Sequence, residues 1–312
     1  GIEGCYLYSR HWNPTNRYLS QALAKMENTE SAAVTASGMA AITSTLLQLC
    51  GQGDEIICSR MVYGGTYAFL KNVAPRFGII THFVDITKID RIEKAITPAT
   101  KVIYCESVSN PLLEVTDIRA LSKLSRKHAL KLVVDNTFTP MIVSPTNLGA
   151  DIVIHSLTKF INGTSDTVAG AICASDEFIH QLSDVNSGMI MLLGPVMDSM
   201  RSASVLKNLH SLHVRLQQHS KNALYLATAL SKAGIEVRYP GLSTHPQHEL
   251  MNSIMSREFG YGGMLVINMG TKQNAYRLME RMQQKNLGYL AVSLGFYKTL
   301  FSSPGSSTSS EI

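Results

Sequence analysis

The sequence predicts an α/β fold, in which a parallel β-sheet is covered by helices on both faces and is followed by a smaller α+β region. Three observations carry this. Strand and helix patterns alternate from about Ser31 to Arg215, the strands are short continuous apolar runs, and beyond about Leu209 the texture changes to long helical stretches. A chain of 312 residues that is 45% hydrophobic can fill the core of a domain of about 200 residues and of a second, smaller one.

The elements follow in order. "GMAAITSTLLQLC" (38–50) is an apolar helix that begins with small residues, and "DEIICS" (54–59) is a strand. "TYAFLKNVAPRF" (66–77) reads as a helix and "KVIYCES" (101–107) as a strand. "DIRALSKLSRKHAL" (117–130) is an amphipathic helix with Asp117 near its start, and "KLVVDNT" (131–137) and "ADIVIHS" (150–156) are strands. Past Leu209 come a long helix (212–234), a Pro/Gly turn "YPGLSTHPQHEL", a strand "GMLVINMG" and a further helix. A Ser-rich end, "SSPGSSTSSEI", is the one low-complexity segment.

Composition excludes several function classes. The net charge of +5 comes from scattered Lys and Arg, without the basic cluster or interleaved aromatics of a nucleic-acid face. No apolar run approaches the ~20 residues of a membrane helix, so a soluble protein is expected. Cys5, Cys50, Cys58, Cys105 and Cys173 are odd in number and lack paired spacing, which predicts reduced thiols and a cytoplasmic location. The chain begins at Gly1 with no signal-peptide pattern.

Open parallel sheets bind ligands at the carboxyl ends of their strands, and the unusual polar residues fall there. Glu106 closes one strand, Asp135 the next, and Ser156 to Lys159 the one after. Lys159 alone is most simply a solvated loop residue. Asp135, however, ends an apolar strand and needs a cationic partner there. That partner is either an arginine or the protonated ring nitrogen of a cofactor. Pyridoxal phosphate requires such an aspartate, a lysine and a phosphate cradle. "TASGMAA" offers the cradle, with Ser37, Gly38 and Met39 at a loop-to-helix turn whose N–H groups are free, and Ser156 and Thr158 add hydroxyls. Tyr63, before two glycines, either closes a turn or stacks on the cofactor. Competing motifs are weaker. Ser156–Lys159 matches S-x-x-K without its companion motifs, and "GQGDEI" lies between helix and strand in the reverse of a dinucleotide site. The His pairs "HSLH" and "HPQH" lack a zinc ligand set, so no metal is expected. "NGT" at Asn162 is a glycosylation sequon by pattern only.

With "YSRHWNPT", "ASGMAA", "VYGGT", "ESVSNP", "VVDNTF", "HSLTKFINGTSD" and "AVSLG" in this order, the sequence resembles the pyridoxal-phosphate enzymes of cysteine and methionine metabolism over nearly its whole length. The resemblance implies a mostly parallel seven-stranded sheet of the aspartate-aminotransferase-like fold type I. It also implies an N-terminal arm remnant (1–15) that contacts a neighbouring subunit, a cofactor-binding domain (16–208) and a C-terminal domain (209–312). By position, Lys159 matches the lysine that carries the cofactor, Asp135 the partner of its ring nitrogen and Tyr63 the stacking residue. Gly38, Met39, Ser156 and Thr158 match the phosphate binders, and Asn110 the residue near the phenolic oxygen. Tyr8 and Arg10 match a pair that reaches the neighbouring subunit's phosphate, which implies a homo-oligomer, a dimer with composite sites or a tetramer.

The implied activity is elimination from a sulfur-containing amino acid. Members that handle cystathionine carry charged residues where this chain has Leu7, Ala68 and Val292, the last just before Ser293. The apolar replacements suit a short thioether, so the expected reaction is γ-elimination of L-methionine to methanethiol, 2-oxobutanoate and ammonia. Cystathionine cleavage or synthesis and O-acylhomoserine sulfhydrylation are the alternatives. "YPGLSTHPQHEL" and "AVSLGFYKTL" look most like plant-type members that cleave methionine. Two departures stand out. Gly65 replaces a cysteine of bacterial members, and the family's carboxylate-binding arginine, in an R-x-S-x-G stretch, is expected beyond Ile312.

Overall fold

Helix 1 (α1, Pro14–Glu27) starts where Asn13 accepts the Asn16 N–H at 2.9 Å, and it leads into β1 (Ser31–Thr35) and α2 (Gly38–Leu49). A computed structural model describes Tyr6 and residues 8–303. The chain continues through β2 (Glu55–Ser59), α3 (Gly64–Ala68), β3 (Ile80–Val84), α4 (Ile89–Ala95), β4 (Thr100–Glu106), α5 (Ile118–Lys127), β5 (Lys131–Asp135), β6 (Ile152–Ser156) and β7 (Gly170–Ala174). Then come α6 (Asp176–Ser183), α7 (Met189–Leu193), α8 (Ser199–Leu209) and α9 (Leu212–Lys232).

The seven strands form one sheet in the order β1-β7-β6-β5-β4-β2-β3. The pairings from β3 through β6 are parallel, whereas β7 runs antiparallel to both β6 and β1. The sheet is therefore mostly parallel, with the two contacts of β7 as the exceptions. Neither β7 nor β1 and β3 stands out in the sequence, because "GAICA" and "SAAVT" are built largely of small residues and "ITHFV" is interrupted by polar Thr81 and His82.

Alternate residues of the strands enter two different cores, as a period of two requires. On one face Leu132, Val134, Ile103 and Val153 pack with Leu19 and Leu23 of α1, Leu121 of α5 and Leu216 of α9. On the other, Val133, Ile56, Ile152 and Ile154 pack with Ala41, Ile42 and Leu46 of α2 and Phe178 of α6. Both faces are covered, which is why the strands read as continuous apolar runs.

The segment 66–77 is not one helix. After α3 it widens into a π-turn (Phe69–Val73) and tightens into a 3₁₀ turn (Ala74–Phe77). Pro75 supplies no N–H to the preceding turn and its ring crowds the carbonyl four residues back, so regular α-helix cannot run through it. Beyond α9, only Val266–Ile267 of the "GMLVINMG" strand is β-structure, paired antiparallel with Val237–Arg238. Among the described residues no helix is long and apolar enough to cross a membrane.

Candidate active site

Strands β4, β5 and β6 end side by side, and the pairing register brings their last residues together. Glu106 lies opposite Asp135, and Asp135 opposite Ile154, two residues before Ser156, so Glu106, Asp135 and Ser156 all face the α2 side of the sheet. They line a cleft of about 230 Å³, with Ser37, Gly38 and Met39 at the start of α2, Tyr63, Asn110, Thr158, Lys159 and Val292.

The helix start reaches the strand end because position 38 is a glycine: a Cβ there would lie 2.7 Å from the Ser156 Cβ. Ser37 caps α2 by accepting the Ala40 N–H at 3.0 Å. The Gly38 and Met39 N–H groups begin the helix, where no helical carbonyl can serve them. Thr137, two residues past Asp135, accepts the Ser156 N–H at 2.8 Å and ties the ends of β5 and β6 together. Thr158 lines the cleft but directs its hydroxyl to the Ala169 carbonyl at 3.2 Å.

Lys159 sits in the turn after β6, and its amine donates to Ser293 Oγ at 3.2 Å. Burial holds its pKa below the ordinary 10.5, which favours the neutral amine. Two devices hold this turn. Arg215 of α9 donates to the Phe160 and Ile161 carbonyls. Gly295, with φ +78°, lets the "SLG" segment approach so closely that a Cβ would lie 2.4 Å from the Phe160 nitrogen. Arg215 carries no motif signal, since it lies on a helix surface more than fifty residues from the lysine it serves.

Asp135 is 8% exposed and meets only neutral donors, the Thr137 N–H at 3.0 Å and the Tyr104 hydroxyl at 3.4 Å. Burial raises its pKa, while the Thr137 and Tyr104 bonds and nearby His155 oppose the rise. The arginine partner that the sequence left open is not what Asp135 contacts. An acidic floor without a contacting cation, a half-buried primary amine, and a helix start with unserved N–H groups together fit pyridoxal phosphate, whose ring is cationic and whose phosphate is anionic.

Other expected residues are placed differently. Tyr8 and Arg10 do not line this cleft. Arg10 lies over the Tyr8 ring, 5.2 Å from its centroid, and donates to the Met191 carbonyl at 2.7 Å. Ala68 is half-buried in α3 and does not line the cleft, and Leu7 lies outside the described residues. Residues that the sequence did not single out also line it, namely Ile42, Val108, Thr137, Phe138, Val168 and Leu294.

The fold, the strand-end aspartate and the lysine turn define a fold type I pyridoxal-phosphate enzyme. The chain belongs to the Cys/Met metabolism PLP-dependent enzymes, whose family model matches residues 2–312. It is 45% identical over 310 residues to a methionine gamma-lyase of Arabidopsis thaliana, covering 98% of this chain and 70% of that protein. It is 38% identical over 312 residues to a cystathionine gamma-lyase of Dictyostelium discoideum, covering 98% and 78%. The crystal structure of cystathionine gamma-lyase from Lactobacillus plantarum complexed with L-serine superposes with a TM-score of 0.89 at 32% identity, over 97% of this chain and 77% of that one. This protein is thus a pyridoxal-phosphate-dependent lyase, similar to enzymes of both substrate types.

Proposed function

We propose that this lyase carries out γ-elimination of L-methionine, with water, to methanethiol, 2-oxobutanoate and ammonia. One observation carries the choice of substrate. Among the described residues lining the cleft the only charged side chains are Glu106, Asp135 and Lys159, all near its floor, and the remaining wall includes Val168, Val292 and Leu294. A methylthio group gains by burial against such a wall, roughly 25 cal/mol for each Å² removed from water. The second ammonium and carboxylate of cystathionine would find no counter-charge there.

In this reading Lys159 carries pyridoxal phosphate, the Asp135 carboxylate faces its ring nitrogen, and Tyr63 lies against its ring. Asn110 sits near its phenolic oxygen, Gly38, Met39 and Ser156 receive its phosphate, and Thr158 joins them when its hydroxyl turns away from Ala169. The bound cofactor supplies an electron-withdrawing ring that accepts the charge left when a proton leaves Cα. The Lys159 amine, freed when the substrate's amine takes its place and shifted toward the neutral form by desolvation, takes that proton, passes it on, and, as a base again, takes one from Cβ, with Ser293 Oγ orienting it between the two. The Tyr63 phenol gives a proton to the departing thiol. Asp135 keeps its charge opposite the ring. Residues 16–208 form the cofactor-binding domain and 209–312 the C-terminal domain that brings Ser293 to the amine. Tyr8 and Arg10, which do not line their own cleft, serve a second copy's phosphate in this reading, and the working unit is a homo-oligomer.

The test is incubation with methionine, cystathionine and O-acetylhomoserine, without added thiol, and assay of 2-oxobutanoate and volatile thiol. Methionine should show the highest kcat/KM. Better cleavage of cystathionine would replace this reading with the cystathionine-processing one.

A further inference from the structure

We propose that Glu106 is a positioning residue: its carboxylate grips the backbone of Tyr63 with one oxygen and that of Asn110 with the other, and so fixes both side chains beside the cofactor. This rests on the cofactor site proposed above. The Tyr63 N–H donates to Glu106 Oε1 at 2.6 Å, and the Asn110 N–H donates to Oε2 at 3.0 Å. Tyr63 ends the loop after β2 and Asn110 lies in the loop after β4, so one side chain at the tip of β4 joins two loops from different strands. Glu106 is itself 6% exposed and lines the cleft between them.

A carboxylate is a costly group to keep at this place. Burial first, and the facing Asp135 second, push its pKa up to about 8, while the two backbone N–H groups pull the other way. The side chains around it, Tyr104, Cys105 and Cys58, bring no cation. What the carboxyl group provides here is two oxygens in one plane, each accepting a backbone N–H, and the ionised form above about pH 8 accepts most strongly at both. A glutamine of the same shape has one acceptor and one amino group, so it serves one loop and turns a donor toward the N–H of the other. The Glu106 main chain is held separately, its carbonyl accepting the Thr116 hydroxyl at 2.6 Å, so the strand end does not depend on the carboxylate.

The experiment compares wild-type, Glu106→Gln and Glu106→Asp holoenzymes. Its readouts are the visible circular dichroism per bound cofactor, cofactor loss on dilution, and kcat and KM for methionine. Glu106→Gln should lose at least half of the dichroic amplitude, release cofactor about tenfold faster or more, and lower kcat about tenfold with KM within about threefold. Glu106→Asp, which keeps both acceptors on a shorter arm, should recover part of the dichroism. Wild-type dichroism and release rate in Glu106→Gln would overturn the proposal. If Glu106→Gln yields no folded holoenzyme, Glu106→Asp decides: dichroism below wild type with faster release supports the assignment, and wild-type values for both overturn it. Borohydride reduction and peptide mapping of the wild type read the underlying site separately, since cofactor fixed to a lysine other than Lys159 would reject that site.

Discussion

Adding one methyl group at Gly38 tests whether the close approach of α2 to β6 builds the phosphate end of the site. In Gly38→Ala the new carbon would lie 2.7 Å from the Ser156 Cβ, 2.9 Å from its Oγ and 3.0 Å from its Cα. The first contact is about 0.7 Å short of ordinary van der Waals distance, and the Cα is backbone that cannot rotate away. The start of α2 must therefore move off the strand by a good fraction of an ångström. Overpacking of this kind costs about 1–3 kcal/mol, and the stiffer unfolded chain of alanine returns about 0.4–1 kcal/mol, so the net loss of stability is at most about 2.6 kcal/mol and centres on about 1.3 kcal/mol. The functional loss should be larger. The Gly38 and Met39 N–H groups move with the helix start, and a displacement approaching 1 Å can cost about a hundredfold in a positioned interaction. Cofactor affinity, measured by equilibrium dialysis with visible absorbance, should fall ten- to hundredfold, and the melting temperature should fall by a few degrees. Gly51→Ala is the control, because its Cβ would meet nothing closer than Asp54 at 3.9 Å. A Gly38→Ala protein that binds cofactor as tightly as wild type would refute the reasoning.

Four further outcomes are expected. Val292→Glu should shift the kcat/KM ratio toward cystathionine by only a few-fold, because position 292 is 64% exposed and a rim ion pair is worth about 1 kcal/mol at most; no shift would remove Val292 from the substrate's distal end. Gly65→Cys places a Cβ 2.5 Å from the Tyr63 ring and 3.0 Å from Met39 Sδ, so the ring must turn and kcat should fall about tenfold; unchanged turnover would show that Tyr63 has room the structure does not give it. The rate at which stripped protein reacts with pyridoxal phosphate should rise with pH and level off below pH 10.5, because only the neutral Lys159 amine attacks the aldehyde and burial lowers its pKa. A rate still climbing above that pH would contradict the desolvated amine. His155→Ala removes a 2.7 Å hydrogen-bond partner from Glu27, itself 1% exposed and still bonded to Asn136, and urea titration should show a loss of about 1–3 kcal/mol; no loss would mean that this buried bond contributes nothing to the core.

The sequence by itself determined the class of fold, several of its strands and helices, and the polar residues that close β4, β5 and β6. Those signals are local. An apolar run such as "KLVVD" must be covered on both sides, and a carboxylate at its end must find a partner, whatever the rest of the chain does. Asp135 stood out as a strand-end carboxylate for that reason, whereas Lys159 and Tyr63 have plain local readings and drew attention through the motifs around them. Only the tertiary structure decided what depends on neighbours distant in sequence. That β7 runs antiparallel in a mostly parallel sheet follows from pairing, which "GAICA" does not encode in its own residues. The break after α3 is signalled in the sequence by Pro75 alone, inside a segment of otherwise helix-compatible residues. Arg215, Gly295 and Ser293 meet the Lys159 turn only because the chain returns to it after fifty to more than a hundred residues. The double grip of Glu106 on Tyr63 and Asn110 likewise needs two loops to fold against one strand end. A hydrogen bond between loops is set by distance in space, and a sequence specifies that distance only through the whole packed sheet.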